Sequence, residues 1–505
     1  MNYDIVVVGG GIGGLTVAAL LAARGLGVCL LERASHVGGC AATFGQAGHL
    51  FETGAGLYAA WGAGEIHERV FAELPASAPE VRKLTNAYVV RLPDGTDVRV
   101  GGGGDAELDE GFAAELRAAF PECADASIRF YRELMPVADA LMRAARRIPA
   151  LVNATRFQRA KLIAAAPRIS TRILAGMNQT AAQHMADTSP RFRRFVDVQL
   201  QIFAQCASES CAYPYAAVAL AQPLRGMYAI RGGGSALADS LVESIKKSGG
   251  TVRLDSPVLR LAYDSGGSAT GVDLLSGEFV GAGRAVVSNL TMWDTYGKLV
   301  GAGRTPPETR ARLKSLRGWG AYQLYLSLDE AAAARLPSEQ ILTLADWQEG
   351  RAYDPETSQF MFSAAPAWDA RAPEGKRAVT VSTFTEAEQW FAFHEDESAH
   401  EEGDQKMLEE CWSRIHASLP ELGAGIEVIE TASPRTFYEK TRRRLGMVGG
   451  IGQTLEVFGT HSPTHRTALP NLYIVGDTTF PGNGVAAVTH SALVVANEIA
   501  PPARS

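Results

Sequence analysis

The stretch DIVVVGGGIGGL near the start constrains the fold more than any other part of this chain. Asp4–Val8 is short, apolar and β-branched, the pattern of a parallel strand buried on both faces. Gly9, Gly11 and Gly14 follow in GxGxxG register, Thr16–Ala23 is helical by composition, and Gly27–Leu31 is a second apolar strand ending at Glu32. Gly9 allows the tight turn, Gly11 lets backbone approach a pyrophosphate, and Gly14 lets helix and strand pack closely. The helix N-terminus offers N–H groups and a positive dipole end to phosphates. Glu32, eighteen residues past Gly14, is placed to accept from a ribose diol, and an acid there disfavours the extra phosphate of NADP. Ile5–Ala23 is uncharged and long enough to suggest a membrane helix or signal peptide. No basic segment precedes it, however, and five glycines sit in its middle, so a soluble strand–turn–helix is expected.

A glycine turn of this kind serves NAD and FAD alike, and the far end separates them. Asn471–Ser491 reads NLYIVGDTTFPGNGVAAVTHS: a buried strand at Leu472–Val475, then Gly476-Asp477, then a turn at Gly482–Gly484 into a helix starting near Val485. A carboxylate at the strand end suits the hydroxyls of a ribityl chain, and the helix start suits negative charge on a reduced flavin ring. FAD is therefore the expected cofactor. The net charge of −7 argues against nucleic-acid binding, which needs a basic face. Six scattered cysteines in 505 residues, with no CxxC pair, read as reduced thiols of a cytoplasmic protein, and no metal site is expected.

The segments GGGIGGL, LLERASHVGG, FETGAG and VGDTTFPGNGV, together with IRGGGSALADSLVESIKKSGG and SPRTFYEKTRRRLGMVGGIGQ, resemble the phytoene desaturase, carotenoid isomerase and retinol saturase branch of the FAD-dependent amine-oxidase superfamily. The resemblance covers most of the chain. It implies an α/β fold: a discontinuous, Rossmann-like FAD-binding domain of the glutathione-reductase type, with an α+β substrate-binding domain. It also implies that Gly9, Gly11, Ile12, Gly13, Gly14 and Glu32 meet the ADP half, with Arg33, Gly38 and Gly39 beside the ribose and pyrophosphate. Val258 passes under the adenine; Gly476, Asp477, Gly484 and Val485 meet the ribityl chain and ring; Gly54, Ala55 and Gly56 approach the ring from the other side. Two positions depart from the pattern: Cys40 stands where relatives carry an arginine, and Glu52 where an aspartate is usual.

By these motifs the FAD-binding domain takes residues 1–70, 226–300 and 440–505, and the substrate-binding or cap domain takes 71–225 and 301–439. Ala321–Leu328 and Ala378–Phe384 read as strands. Residues 140–186 hold no acid but many arginines among apolar residues, which fits a helix in a membrane interface and equally a cap helix with a solvated basic face. The expected location is the cytoplasm, with peripheral contact at the inner membrane face in the first of those readings. The acidic run 395–410 reads as a solvated helix surface, and the GGIG at Gly449–Gly452 as a loop. With one nucleotide fingerprint, the electron acceptor is expected to come from outside, as oxygen or a quinone. The expected activity is desaturation or isomerisation of a carotenoid or other polyene isoprenoid, a hydrophobic substrate, by hydride transfer to the flavin. The alternatives are an FAD-dependent oxidase of an amine or specialised metabolite, and a non-catalytic prenyl-lipid-binding relative. No catalytic triad or metal cluster is visible, and Arg231, Tyr322, Arg435 and Arg444 are candidate acid/base or cavity groups only because they lie in family-like segments.

Overall fold

The computed structural model describes residues 2–54, 56–102, 108–147, 176–348, 350–392, 396–458 and 463–502. Ala55, residues 148–175 of the basic segment and Glu395 of the acidic run lie outside the described residues. The opening motif folds as strand Asn2–Val8, helix Ile12–Ala23 and strand Val28–Leu31. These strands are parallel neighbours in a seven-stranded sheet. Along its path the sheet runs Thr251–Arg253, Val28–Leu31, Asn2–Val8, Phe279–Ser288, Ala269–Leu274, Val258–Tyr263, and Leu472–Ile474 pairs in parallel with Phe279–Ser288. Residues from three distant parts of the sequence therefore meet side by side.

Strand alternation explains why the opening strand is apolar throughout. Ile5 and Val7 join a core with helices Ile12–Ala23, Gly234–Lys247 and Val485–Ile499. Val6 and Val8 join another on the opposite face, with Trp293, Leu316, Met447 and Ile451.

A second seven-stranded sheet has the order Ile426–Ala432, Gly320–Asp329, Lys376–Thr385, Gln359–Ala364, Gln340–Leu344, Tyr88–Arg91, Asp97–Val100. It contains both strands expected from the sequence. On Gly320–Asp329, Tyr322, Leu324, Leu326 and Leu328 face a core that includes Cys411 and Ile415 of helix Glu397–Ser418. Ala321 and Tyr325 face the opposite way, toward Phe51 and Phe437. That helix carries most of the acidic run and buries only Cys411 and Ile415, as a solvated surface helix does. No helix among the described residues is long and apolar enough to cross a membrane.

Two fully buried histidines give the fold an acid limit. His67 stacks on Trp61 at 4.2 Å between ring centroids, and His465 bonds through Nε2 to the Phe480 carbonyl at 2.9 Å. Burial pushes His67 down to about 3, the Ala59 carbonyl opposing. Burial pushes His465 down to about 4, with the Phe480 carbonyl opposing and His490 adding to the effect. Both are neutral when folded, so below about pH 6.5 the unfolded chain binds protons that the folded chain refuses. Stability should then fall by about 1.4 kcal/mol per pH unit per histidine, levelling near pH 4 for His465 and pH 3 for His67. Urea unfolding across this range checks it, and His67→Phe should remove one histidine's share of the slope.

Candidate functional site

The first sheet ends its central strands on one cavity of about 1920 Å³, roughly twice the upper end of ordinary small-ligand pockets at about 1,000 Å³. One end is a glycine cradle. Gly9 turns with φ +100°, and Gly38 and Gly39 with φ +106° and +58°. Glu32 ties both loops: one carboxylate oxygen accepts from Gly10 N–H at 2.7 Å, the other from Ala34 N–H at 2.8 Å. Asn289, directly after strand Phe279–Ser288, fills the space behind the loop. A Cβ on Gly11 would lie 2.7 Å from its Nδ2, and one on Gly13 2.7 Å from its Oδ1.

Helix Ile12–Ala23 has Gly11 as N-cap and helix Val485–Ile499 has Gly484, and neither start carries a side-chain cap. Both starts line the same cavity, so two positive dipole ends converge on it. The expected residues Gly9, Gly11, Ile12, Gly13, Glu32, Arg33, Gly38, Gly39, Gly54, Gly56, Val258, Gly476, Asp477, Gly484 and Val485 all line this cavity. Gly14 sits behind the wall, where an added Cβ would collide with the Gly9 carbonyl oxygen.

Beside Asp477 stands Arg443, which donates to the Asp477 carboxylate at 2.8 Å and through Nε to the Met447 carbonyl at 2.8 Å. Burial works to lower the Arg443 pKa, but the charge of Asp477 more than offsets it and holds the guanidinium protonated. Burial raises the Cys40 thiol; Arg443 pulls it down and Asp477 pushes it up, leaving it protonated in the neutral range. Gly449, in the GGIG loop, also lines the cavity, and Gly450 presses on the Asp477 backbone, so that loop is a wall of the site. Glu52 lines it too, with its carboxylate already engaged by Tyr58 OH at 2.9 Å, Gly234 N–H at 3.2 Å and Arg371 at 2.9 Å.

From the cradle the cavity continues between the second sheet and helices Pro190–Ala204 and Tyr213–Arg225, as far as Ala140–Ala145. Its walls here include Ile202, Phe203, Val218, Met142, Met177 and Met361. Three polar groups on the sheet floor are bonded to one another: Tyr325 OH donates to Gln323 at 2.5 Å, and Gln323 donates to Ser382 at 3.0 Å. Burial, with the nearby Cys40 and Glu430, raises the Tyr325 phenol and keeps it protonated.

The family model of flavin-containing amine oxidoreductases matches residues 12–500. The chain belongs to this family. It is an FAD-dependent oxidoreductase. It is 25% identical over 512 residues to a chloroplastic prolycopene isomerase of Arabidopsis thaliana, covering 99% of this chain and 82% of the isomerase. To a Homo sapiens all-trans-retinol 13,14-reductase it is 25% identical over 519 residues, covering 95% of this chain and 82% of the reductase. A solved oxidoreductase from Methanosarcina mazei shares the fold, with TM-score 0.63 and 17% identity over 98% of this chain and 99% of its own. The α/β architecture expected from the sequence is that of this family.

The flavoenzyme's structure moves the four acid/base candidates away from the cavity. Arg231 is exposed, pairs with Glu80 at 2.5 Å and lies over the Trp368 ring. Tyr322 points through the sheet to the Asp404 carbonyl, because its neighbours Ala321 and Gln323 take the cavity face. Arg435 pairs with Glu397 and Glu439, and Arg444 lies over Trp293. The side chains that do face the cavity are one or a few positions away: Gln323 and Tyr325 for Tyr322, and Arg443 for Arg444. Asn289, Arg443 and Tyr325 are the site residues that sequence reasoning missed. Asn289 closes an apolar strand and carries no motif; Arg443 sits in a run of three arginines whose orientations are set by two residues of positive φ, Arg442 and Leu445.

Proposed function

We propose that this enzyme desaturates or isomerises a polyene isoprenoid, and that one observation carries the reading: the apolar extension of the cavity from the glycine cradle to Ala140–Ala145. A rigid unsaturated chain fits such a slot, whereas a small amine needs neither its length nor its apolar wall. The names of the two relatives, an isomerase of prolycopene and a reductase of retinol, support the same substrate class.

The cradle fits FAD in shape and charge. Glu32 is placed for ribose hydroxyls; Gly11, Ile12 and Gly13 for the pyrophosphate; Val258 for the adenine. Gly476, Asp477, Gly484 and Val485 are placed for the ribityl chain and ring, with Gly54 and Gly56 opposite. This assignment draws the FAD-binding part from 1–70, 226–300 and 440–505, and leaves 71–225 and 301–439 to the substrate. FAD, when bound, supplies hydride acceptance and donation at its ring. The protein's share is to hold an unsaturated chain against the ring and keep water out. Tyr325, Gln323 and Ser382 form a neutral, mutually bonded part of the floor that fixes the height of that chain. Arg443 compensates charge beside Asp477. An external acceptor such as oxygen or a quinone completes turnover.

Anaerobic mixing of the holoenzyme with phytoene, a cis-carotenoid or benzylamine tests the reading. Bleaching of the flavin band by phytoene, or conversion of the cis-carotenoid by chemically reduced enzyme, is expected. Bleaching by benzylamine alone overturns it.

A further inference from the structure

Asn289 meets both halves of the glycine cradle. It follows directly on strand Phe279–Ser288, which pairs in parallel with Asn2–Val8, and its backbone N–H donates to the Val8 carbonyl at 2.8 Å. That bond fixes the residue at the carboxyl ends of two central strands, where open α/β sheets hold their ligands.

The N-terminal loop is built around its side chain. Ideal Cβ atoms on Gly11 and Gly13 would lie 2.7 Å from Nδ2 and Oδ1 respectively, and one on Gly14 would lie 3.0 Å from the Asn289 Cβ. On the C-terminal half, a Cβ on Gly476 would lie 3.4 Å from Oδ1. Glycines from both ends of the chain thus enclose this side chain, which still lines the cavity.

Polar side chains on the surrounding segments are engaged with protein. Ser288 and Thr295 bond each other at 2.7 Å, and Thr291 donates to Asp294 at 2.5 Å. Thr478 accepts from Met292 N–H at 3.0 Å, and Ser491 from Gly476 N–H at 3.1 Å. Among the described residues, no hydrogen bond engages the Asn289 amide. An amide that lines a cavity with its donors unused is available to what the cavity holds. The diphosphate of FAD is anionic and calls for donors, and a hydrogen bond to a charged oxygen is stronger than one between neutral groups.

We propose that Asn289 is a further cofactor-binding residue: its Nδ2–H donates to the diphosphate of FAD, and the site thereby prefers FAD to flavins that lack a diphosphate. This rests on the placement of Gly11, Ile12 and Gly13 at the pyrophosphate. It also gives the loop glycines a second reason to be glycine, since a side chain at Gly11 or Gly13 would push the amide out of place.

The test titrates the deflavinated enzyme with FAD and with riboflavin, read by quenching of flavin fluorescence, in wild type, N289A and N289D. Wild type is expected to prefer FAD. N289A should bind FAD about 10- to 100-fold more weakly, with riboflavin binding unchanged. N289D keeps the shape of the side chain but sets a negative charge against the diphosphate, so its FAD affinity should fall below that of N289A. FAD binding by N289D that equals wild type, or exceeds that of N289A, overturns the proposal, because the residue then only fills space. Equal losses of FAD and riboflavin affinity in N289A overturn it as well. Equal affinity of wild type for FAD and riboflavin overturns the placement of the diphosphate itself, and the role of Asn289 with it.

Discussion

Arg371→Ala should lose about 3–5 kcal/mol of unfolding free energy at neutral pH, more than any other single change considered in this chain. Arg371 is buried and holds two buried carboxylates at once, Glu52 at 2.9 Å and Asp369 at 2.6 Å, while donating to the Ile230 carbonyl at 2.6 Å. Removing the guanidinium leaves two like charges in a poorly solvated pocket and an acceptor without its donor. Urea unfolding at neutral pH checks the magnitude. A loss below about 1 kcal/mol, the scale of a surface pair, would refute the account. The cluster also reaches the site, because Glu52 lines the cavity and binds the N-terminus of helix Gly234–Lys247.

Gly14→Ala should yield protein that has lost its flavin. The added methyl would enter the shell of the Gly9 carbonyl oxygen and come within 3.0 Å of the Asn289 Cβ. Backbone cannot swing aside as a side chain can, so strand, turn and helix must separate. Overpacking of this kind costs about 1–3 kcal/mol, which, if expressed at the cradle, weakens FAD binding by about 5- to 150-fold. The ratio of 450 nm to 280 nm absorbance after gel filtration reads it directly. Gly297→Ala is the control: nothing lies within 4 Å of its added carbon, and flavin content should be unchanged. Equal flavin retention in both variants would mean that Gly14 does not set the helix position.

The cradle was legible in the sequence because its chemistry is local. A strand, a turn and a helix within Asn2–Ala23 dictate where backbone N–H groups point, and Glu32 follows at a spacing set by one helix and one return strand. The C-terminal half was legible for the same reason, since Gly476-Asp477 and the start at Val485 form another strand–turn–helix. The acid/base candidates do not line the cavity, because membership of a family-like segment says nothing about facing. Tyr322 and Tyr325 lie on one strand, three residues apart, and a period of two sends them to opposite faces.

What the amino-acid sequence determined by itself was thus the two halves of the glycine cradle and the apolar strands that carry them, all consequences of short-range backbone geometry. Only the tertiary structure decided what stands around them. Asn289 behind Gly11 and Gly13, Arg443 against Asp477, and Arg371 between Glu52 and Asp369 are contacts between residues far apart in the chain. Such pairings depend on how sheets and helices pack, and no local spacing encodes them.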